Sequence, residues 1–429
     1  MVKIRQDIEE SLATDYESYQ ELPQNIQDKL EWFKDQKIGV IFHWGLYAVA
    51  GIVESWQMSE EDDWARKNPW RNDIDELRAD YWGLNHSFNP YNFAPDQWAK
   101  VCKEAGFRYM IFTTKHHDGF NMYDTAYSDY KVTQAPCPFA EHEHADIFCE
   151  VAAAFRKEGL HVGAYYSKPD WHSPLYWAPG ERPKGRYASY DPQKFPERWA
   201  AYDQFVHDQL VEITSNYGAL DILWLDGGWV NNRSELLDME RIAADVRKKQ
   251  PDLLIVDRSI GGIHENYVTP ERKIPDVPPQ KAWESNIPLA KNWGFCPNDL
   301  YKPFEEILAS VVKVVALGGN LILGVGPKPD GTLPNEALAI LEPLGKWLAQ
   351  FGEGIYETRP ANYQAPDGWS LTQKGTTIYA FGEQAAPALD TALFANVRQI
   401  TSLNTGEKIT ATSLTAGSEW YQVYKIECN

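Results

Sequence analysis

The chain has 429 residues, and its 61 acidic and 41 basic side chains give a net charge of −20 at pH 7. This negative net charge argues against binding to nucleic acid or to an anionic membrane, because phosphate groups need basic partners. No window approaches the roughly 18 consecutive apolar residues of a membrane-spanning helix. A neutral substrate fits this balance best, and the 17 Trp and 23 Tyr favour surfaces that stack on flat apolar faces, such as those of sugar rings.

The length suffices for two domains, one large and one small. Residues 1–10 are polar and acidic and lack the apolar centre of a signal peptide. The cysteines are scattered, odd in number and without a CxxC pair, which predicts reduced thiols and a cytoplasmic location. They are Cys102, Cys137, Cys149, Cys296 and Cys428. The sequence leaves open whether the chain forms a homo-oligomer.

The first elements in chain order are a helix predicted over 26–34 and a buried strand over 37–45, which ends in His43, Trp44 and Gly45. A long aromatic and acidic loop then runs from Glu54 to Trp82. Loops of this length after barrel strands commonly belong to the binding face, so this loop is predicted to border a site.

Helices and strands then alternate. The apolar spacing predicts helices over 96–105, 145–158, 196–217, 234–249 and 304–317, each leading to a strand, over 108–115, 161–167, 220–226, 253–257 and 320–326. A seventh strand is predicted near Trp283, and a last helix over 338–350. Such alternation predicts a parallel sheet with right-handed crossovers.

Polar and aromatic residues gather after nearly every strand and not before it. The carboxyl ends of all strands meet on one face of a closed barrel, whereas an open doubly wound sheet binds ligands at one switch point. We therefore predict an α/β fold with a (β/α)8-type, TIM-like barrel over 1–356. Short alternating runs with glycine-containing turns predict a small C-terminal β-sandwich over 357–429.

The strand over 220–226 carries the clearest candidate for catalysis. Asp226 ends this buried strand and is followed by Gly227 and Gly228. Barrels of parallel strands place catalytic groups at this position, and a turn-capping role is the alternative for an isolated aspartate.

Other chemistries lack their residues. A metal hydrolase of this fold would carry His-x-His on its first strand, which offers only His43, and the pair His142 and His144 lies in an acidic loop. The chain has no G-x-S-x-G turn and no glycine-rich phosphate motif, so neither metal nor cofactor is predicted. A pair of carboxylates, as in glycoside hydrolysis, remains, and Glu271 and Glu284 are the candidate partners of Asp226.

A series of motifs lies in fixed order over about residues 30 to 360. They are Trp32-Phe33-Lys34, Phe42-His43-Trp44-Gly45, Thr113-Thr114-Lys115-His116-His117-Asp118-Gly119-Phe120, Tyr165-Tyr166-Ser167, Trp224-Leu225-Asp226, Asp257-Arg258, the run from Gly319 to Pro327, and Asp330-Gly331-Thr332. In these motifs the chain resembles glycoside hydrolase family 29, the α-L-fucosidases. The resemblance implies a barrel followed by a β-sandwich.

The resemblance also implies exo-hydrolysis of terminal α-L-fucose with retention of configuration and without metal or cofactor. It makes Asp226 the nucleophile and favours Glu271 as the acid/base, with Glu284 as a supporting carboxylate or the alternative acid/base. The implied sugar-binding residues are His43, Glu54, Trp56, His116, His117, Tyr165, Trp224, Arg258 and Trp293. Lys115 and Asp118 are interpreted as structural.

One feature departs from the family pattern. Members commonly carry an adjacent Glu-Trp pair after the first strand, whereas here Ser55 separates Glu54 from Trp56. This departure bears on the exact sugar, so α-L-galactosides are an alternative substrate. A sugar-binding homologue that has lost the chemistry is the alternative from another class. The natural linkage and aglycone depend on variable loops and are not predicted.

Overall fold

The structure is a computed structural model that describes residues 22–181, 184–230, 235–417 and 420–429. The polar and acidic residues 1–10, and the predicted helix start at Ser234, lie outside these ranges.

Seven parallel strands form the main sheet. They are β1 Ile38–Phe42, β2 Tyr109–Lys115, β3 His161–Ser167, β4 Ile222–Asp226, β5 Leu254–Asp257, β6 Glu284–Pro288 and β7 Asn320–Val325. Their spatial order is β5-β4-β3-β2-β1-β7-β6. All seven predicted strands are present, and the strand expected near Trp283 is β6, which pairs in parallel with β7.

The helices connect the strands. They are α1 Gln24–Gln36, α2 Leu46–Ala50, α3 Ile74–Trp82, α4 Pro95–Glu104, α5 Ile147–Lys157, α6 Pro196–Asn216, α7 Met239–Lys249, α8 Phe304–Ala316 and α9 Asn335–Phe351. The helix predicted from Ser234 begins later, because the Asp238 carboxylate accepts a hydrogen bond from the Arg241 N–H and caps the first turn of α7. In the described ranges, none of these helices combines the length and apolar character needed to cross a bilayer.

The sheet curls, and an irregular segment spans the gap between its edge strands β5 and β6. On one side the Asn266 N–H donates to the Ile255 carbonyl at 2.9 Å. On the other side the Val268 N–H donates to the Ala282 carbonyl at 2.9 Å and the Asn286 N–H to the Pro270 carbonyl at 3.0 Å. Isolated bridges take the place of a continuous ladder, so the described residues contain seven strands and not the eight that a (β/α)8 barrel implies.

Side chains alternate across each strand, which separates an outer core from an inner one. Outward side chains pack against the helices, and inward side chains such as Ile41, Ile111 and Ile222 fill the interior. Helix α1 covers the amino-terminal ends of the strands, where Phe33 stacks on Tyr267 at 4.2 Å between ring centroids. The interior is therefore closed at this end, and a cavity is left at the carboxyl ends.

Antiparallel strands follow α9. They are β8 Arg359–Pro360, β9 Trp369–Lys374, β10 Thr377–Glu383, β11 Leu389–Asp390, β12 Val397–Ser402, β13 Lys408–Ile409, β14 Ser413–Leu414 and β15 Tyr421–Cys428. Six of them form one sheet, in the order β13-β12-β15-β10-β9-β8, and β11 pairs with β14. Phe381 and Tyr421 pack with Trp347 of α9 in the main core, while Leu389 and Leu414 join a second core between the two sheets.

A buried ion pair ties the end of β2 to the loop after β3. Lys115 and Asp170 are both inaccessible to solvent, and the Lys115 Nζ lies 3.1 Å from the Asp170 carboxylate. The same Nζ donates to the Tyr166 hydroxyl at 2.9 Å, and Asp170 accepts from the backbone N–H groups of His172 and Ser173. These contacts support the interpretation of Lys115 as structural. The nearby Asp118 accepts from the Tyr81 hydroxyl at 2.7 Å.

Removing the Lys115 charge should lower the free energy of unfolding. Lys115→Met leaves the Asp170 carboxylate buried without its cation, so we expect a loss of about 3–5 kcal/mol of unfolding free energy. Denaturant titration measures this loss. The same substitution at exposed Lys346, which pairs with Glu342 on α9, is the control and should leave the midpoint unchanged. Equal midpoints for the two variants would contradict the structural role.

Candidate active site

A cavity of about 570 Å³ opens at the carboxyl ends of the parallel strands. Its wall contains ten of the twelve predicted site residues: His43, Glu54, Trp56, His116, His117, Trp224, Asp226, Arg258, Glu271 and Trp293. Tyr165 lies beneath the floor and reaches Asp226 through its hydroxyl. All residues of the wall lie between 41 and 293, so the C-terminal sheets support the site from outside.

Asp226 is fixed on the cavity floor by hydrogen bonds on both carboxylate oxygens. The Tyr165 hydroxyl donates to Oδ2 at 2.6 Å, and Arg258 Nη1 donates to Oδ1 at 2.8 Å. The Nε2 of His117 lies 3.8 Å from Oδ2. Strand register explains the contact with Tyr165, because Tyr165 and Trp224 are partners on β3 and β4 and both point inward.

Arg258 holds two carboxylates at once. Its Nη2 donates to Glu271 Oε2 at 2.5 Å while Nη1 binds Asp226, and its Nε donates to Thr269 Oγ1 at 3.1 Å. The guanidinium lies over the Trp224 ring at 4.7 Å from the centroid. Every nitrogen of Arg258 therefore has a partner, and the two carboxylates bind the two terminal nitrogens of one cation.

This guanidinium sets the charge of both acids. Burial by itself raises the pKa of Asp226, but the Arg258 charge and the Tyr165 hydrogen bond outweigh burial and hold the pKa well below its usual range. The pKa of Glu271 is likewise raised by burial and, on balance, lowered by Arg258. In the ligand-free site both groups are ionised at neutral pH.

The three cavity histidines, His43, His116 and His117, are neutral. Burial lowers the pKa of His116 to about 4 and those of His43 and His117 well below their usual range. The proton of His117 is placed by its neighbour Ser167, whose hydroxyl donates to the Pro169 carbonyl at 2.6 Å and so accepts from His117 Nδ1 at 2.7 Å. The Nε2 of His117 therefore carries a lone pair and is available to accept a hydrogen bond from a hydroxyl group.

The loop after β1 accommodates the extra serine between Glu54 and Trp56. Glu54 has a positive φ of 35°, and both Glu54 and Trp56 reach the cavity wall. The Ser55 hydroxyl lies 2.7 Å from Nδ1 of His116 and orients that ring. Glu54 accepts from the backbone N–H groups of Trp293 and Gly294, and burial raises its pKa to about 7.

Trp293 forms the apolar part of the wall. It stacks on His43 with ring centroids 5.0 Å apart, and its indole N–H donates to Glu271 Oε1 at 3.2 Å. A Cβ on Gly324 of β7 would come within 2.5 Å of the Trp293 ring, so glycine is needed for this close approach. Trp44, which follows β1, faces outward into the core beside Trp98.

Glu284 does not lie in the cavity wall, which argues against Glu284 as the acid/base. It begins β6 with its side chain in the interior of the curled sheet, where the Tyr109 hydroxyl donates to Oε2 at 2.5 Å. The Tyr267 hydroxyl is 3.5 Å from Oε1. Burial raises the pKa of Glu284 to about 8, so this carboxyl is a protonated structural group.

Several residues of the site were not identified from the sequence. Ser55 and Ser167 orient histidines, and Arg186 lies over the Trp56 ring at 4.6 Å and pairs with Asp62. Trp229 packs edge-on against His117. Ser167 and Trp229 follow strand ends and had a positional signal. Arg186 lies within a long loop and had none.

His142 and His144, the His-x-His pair of the acidic loop, contact other side chains of the protein. His142 stacks on Phe139, and His144 Nδ1 lies 2.9 Å from the Glu150 carboxylate on the surface. Over the ranges that the structure describes, no three potential ligands are placed to hold a metal ion.

A cavity with paired carboxylates on one guanidinium, neutral imidazoles and tryptophan faces is typical of a glycoside hydrolase. Comparison with known sequences agrees. The family model described as Alpha-L-fucosidase matches residues 6–353. Tissue alpha-L-fucosidase of Macaca fascicularis is 27% identical over 376 residues, covering 81% of this chain and 74% of that protein. Alpha-L-fucosidase of Dictyostelium discoideum is 25% identical over 357 residues, covering 78% and 72%.

Two solved structures are similar over nearly the whole chain. Alpha-L-fucosidase isoenzyme 1 from Paenibacillus thiaminolyticus has a TM-score of 0.81 at 29% identity and covers 94% of this chain and 100% of its own. Thermotoga maritima alpha-fucosidase in complex with a mechanism-based inhibitor has a TM-score of 0.74 at 26% identity, covering 96% and 100%. The chain belongs to the alpha-L-fucosidase family, which confirms the resemblance seen in its motifs and the prediction of a glycoside hydrolase.

The protonated Glu284 should make stability depend on pH. Its raised pKa means that the folded state retains a proton that the unfolded chain loses as the pH rises above about 4.5, so this contribution to stability is lost as the pH rises towards about 8. We expect the unfolding free energy to fall between pH 5 and 8, and to fall less steeply in Glu284→Gln. Glu336→Gln, at an exposed position, is the matched control for the loss of one carboxylate, and its slope should equal that of the wild type. Identical slopes in wild type and Glu284→Gln would contradict the assignment.

Ser167→Ala should weaken substrate binding by releasing the His117 ring. Without its acceptor at Nδ1, the neutral imidazole also populates the form with a proton on Nε2, so it accepts less well from a substrate hydroxyl. We expect kcat/KM to fall about 2- to 10-fold, chiefly through a higher KM. Ser310→Ala on α8, which removes a hydroxyl bonded to the Glu306 carbonyl, should leave kinetics unchanged. A purely lower kcat would argue against the positioning role.

Proposed function

We propose that the protein is a retaining exo-α-L-fucosidase in which Asp226 is the nucleophile and Glu271 the acid/base. The observation that carries this proposal is the Arg258 guanidinium, which holds the two carboxylates on adjacent nitrogens at the floor of a closed-ended cavity. Retaining glycosidases need two carboxylates on opposite sides of one bond, about 5–5.5 Å apart, and this separation stays our prediction for Asp226 and Glu271.

In the first step, Asp226 attacks the anomeric carbon and forms a glycosyl-enzyme. Its low pKa keeps it ionised, and its hydrogen bonds from Tyr165 and Arg258 hold the free lone pairs towards the cavity. The leaving oxygen needs a proton from Glu271, whose pKa Arg258 holds down in the empty site. Bound substrate places the leaving oxygen against Glu271 and loosens the Arg258 contact, so the pKa of Glu271 rises on binding.

In the second step, Glu271 acts as the base. It is ionised after giving up its proton, and it takes a proton from the water that attacks the glycosyl-enzyme. The two inversions at the anomeric carbon give net retention.

The uncharged side chains of the cavity wall suit the hydroxyls and the methyl group of fucose. His117 offers an acceptor at Nε2, His116 is oriented by Ser55, and Trp293 presents an apolar face beside His43. A neutral imidazole carries one donor and one acceptor, which matches a hydroxyl without fixing a charge in the site. Side by side, 4-nitrophenyl α-L-fucoside and α-L-galactoside test the sugar, and we expect the higher kcat/KM on the fucoside.

We also propose that residues 264–272 complete a (β/α)8-type barrel in place of a regular strand, and that the chain divides into a catalytic domain, 1–356, and a β-sandwich, 357–429. The two antiparallel sheets with their own apolar core support this division. A cytoplasmic location stays a prediction, which the five free cysteines support.

Azide rescue assigns the two carboxylates. Asp226→Gly cannot form the glycosyl-enzyme, so activity should fall by several orders of magnitude, and azide entering the vacated space should give the β-fucosyl azide. Glu271→Gly still forms the intermediate from an aryl fucoside whose leaving group needs little protonation, and azide should then give the α-fucosyl azide. Proton NMR of the products reads the anomeric configuration.

A third variant, at Glu284, is the control for this assignment. Glu284→Gly removes a carboxyl outside the cavity and should give no azide product. A β-azide from Glu271→Gly, or an unchanged rate in Asp226→Gly, would reject the assignment. An α-azide from Glu284→Gly would transfer the acid/base role to Glu284.

A further inference from the structure

Two cationic side chains of the cavity wall lie beside the group formed by Asp226, Arg258 and Glu271. They are Arg272, which follows Glu271 in the chain, and Lys291, which lies two residues before Trp293. Both are exposed and both belong to the cavity wall. Their position at one cavity stands out in a chain of net charge −20.

The Arg272 guanidinium is held beside the acid/base. Its Nε lies 3.7 Å from Glu271 Oε1, with 43% of the Arg272 side chain exposed. Its Nη1 donates to the Lys291 carbonyl at 2.8 Å, and the guanidinium lies 5.2 Å from the centroid of the Trp293 ring. These contacts join Arg272, Lys291 and Trp293 into one strip, which we call the cationic rim.

The other cations of the cavity are already neutralised. Arg258 pairs with Asp226 and Glu271, and Arg186 pairs with Asp62 at 2.7 Å. Lys291 differs, because no carboxylate among the described residues lies within ion-pair distance of its Nζ. Arg272 has only the 3.7 Å contact with the Glu271 carboxylate, and Lys291 therefore adds positive charge to the cationic rim that no carboxylate of the described residues balances.

The direction of the leaving group places the rim in the reaction. The acid/base protonates the oxygen that links the sugar to its aglycone, so the aglycone departs past Glu271. The side chains next to Glu271 on the exposed side are those of the cationic rim. Trp293 supplies an apolar face there, and Arg272 and Lys291 supply two positive charges at its border.

We propose that the cationic rim is an aglycone site for a negatively charged group, a carboxylate or a sulfate ester carried by the unit to which the fucose is attached. The proposal rests on the proposed function, because it uses Glu271 as the acid/base. Arg272 and Lys291 bind the anionic oxygens, and Trp293 packs on the ring that carries them. Natural substrates are then anionic α-L-fucosides, while simple neutral fucosides lack the matching group.

The test compares substrates that differ in aglycone charge and not in leaving-group acidity. One pair is 4-(carboxymethyl)phenyl α-L-fucoside and its neutral methyl ester, and the other is the 4-(sulfooxymethyl)phenyl fucoside and its 4-(hydroxymethyl)phenyl counterpart. The measured quantity is the ratio of kcat/KM for the anionic substrate to that for the neutral one. We expect a ratio above one for at least one pair, and a decrease as salt screens the exposed charges.

Lys291→Glu reverses the charge of the rim without touching Glu271. We expect the ratio to fall by about two- to fivefold or more, the effect of an exposed ion pair. Lys103→Glu is the control, because it changes the net charge by the same amount. Lys103 lies in the last turn of α4, which leads to the amino-terminal end of β2, so this variant should leave the ratio unchanged.

Each outcome decides a separate point. Ratios at or below one for both pairs in wild type at low salt, or equal ratios in the Lys291 and Lys103 variants, overturn the proposal. Preference for one pair identifies the anion as carboxylate or sulfate. Failure to hydrolyse even the neutral methyl ester instead rejects the proposed function, and the cationic rim as an aglycone site falls with it.

Discussion

The site depends on one buried guanidinium. Arg258 follows β5, and it joins the end of β4, through Asp226, to the irregular segment that carries Glu271. Two carboxylates buried this closely would repel each other, and without the cation the pKa of one of them would rise sharply. Arg258 in turn needs its own support, which the Thr269 hydroxyl and the Trp224 ring provide. The positions of the two acids are therefore fixed by a single shared partner.

The irregular segment between β5 and β6 allows one guanidinium to bind both carboxylates. A regular strand between β5 and β6 would bury alternate side chains in the interior and carry a continuous ladder. The segment 264–272 pairs with each neighbour in turn, and Pro270 donates no backbone hydrogen bond. Glu271 thus reaches the cavity from the side and faces Arg258. Glu284, on the regular strand β6, points into the interior beside Tyr109 and is left protonated.

The sequence predicted what depends on strand periodicity. Asp226 and Arg258 follow buried apolar runs, and the convergence of parallel strands brings such ends together. Glu271 was preferred over Glu284 on the family resemblance alone, since no periodic pattern surrounds it. The seven strands of the main sheet were predicted, whereas the irregular segment 264–272 between β5 and β6 was not recognised, because isolated bridges leave no alternating run. Arg186 was missed because its position depends on the fold of a long loop, whose tertiary contacts have no local signature.

The electrostatics of the cavity fit a transition state with positive charge on the sugar. The floor holds two carboxylates and one guanidinium, a net charge of minus one, and the three cavity histidines add none because burial keeps them neutral. Protonated imidazoles would oppose an oxocarbenium-like sugar as it forms beside Asp226. Burial of the histidines therefore serves the chemistry as well as recognition, because it keeps their hydrogen-bonding capacity and removes their charge. Positive charge that is not neutralised appears around Lys291, away from the guanidinium and the two carboxylates of the floor.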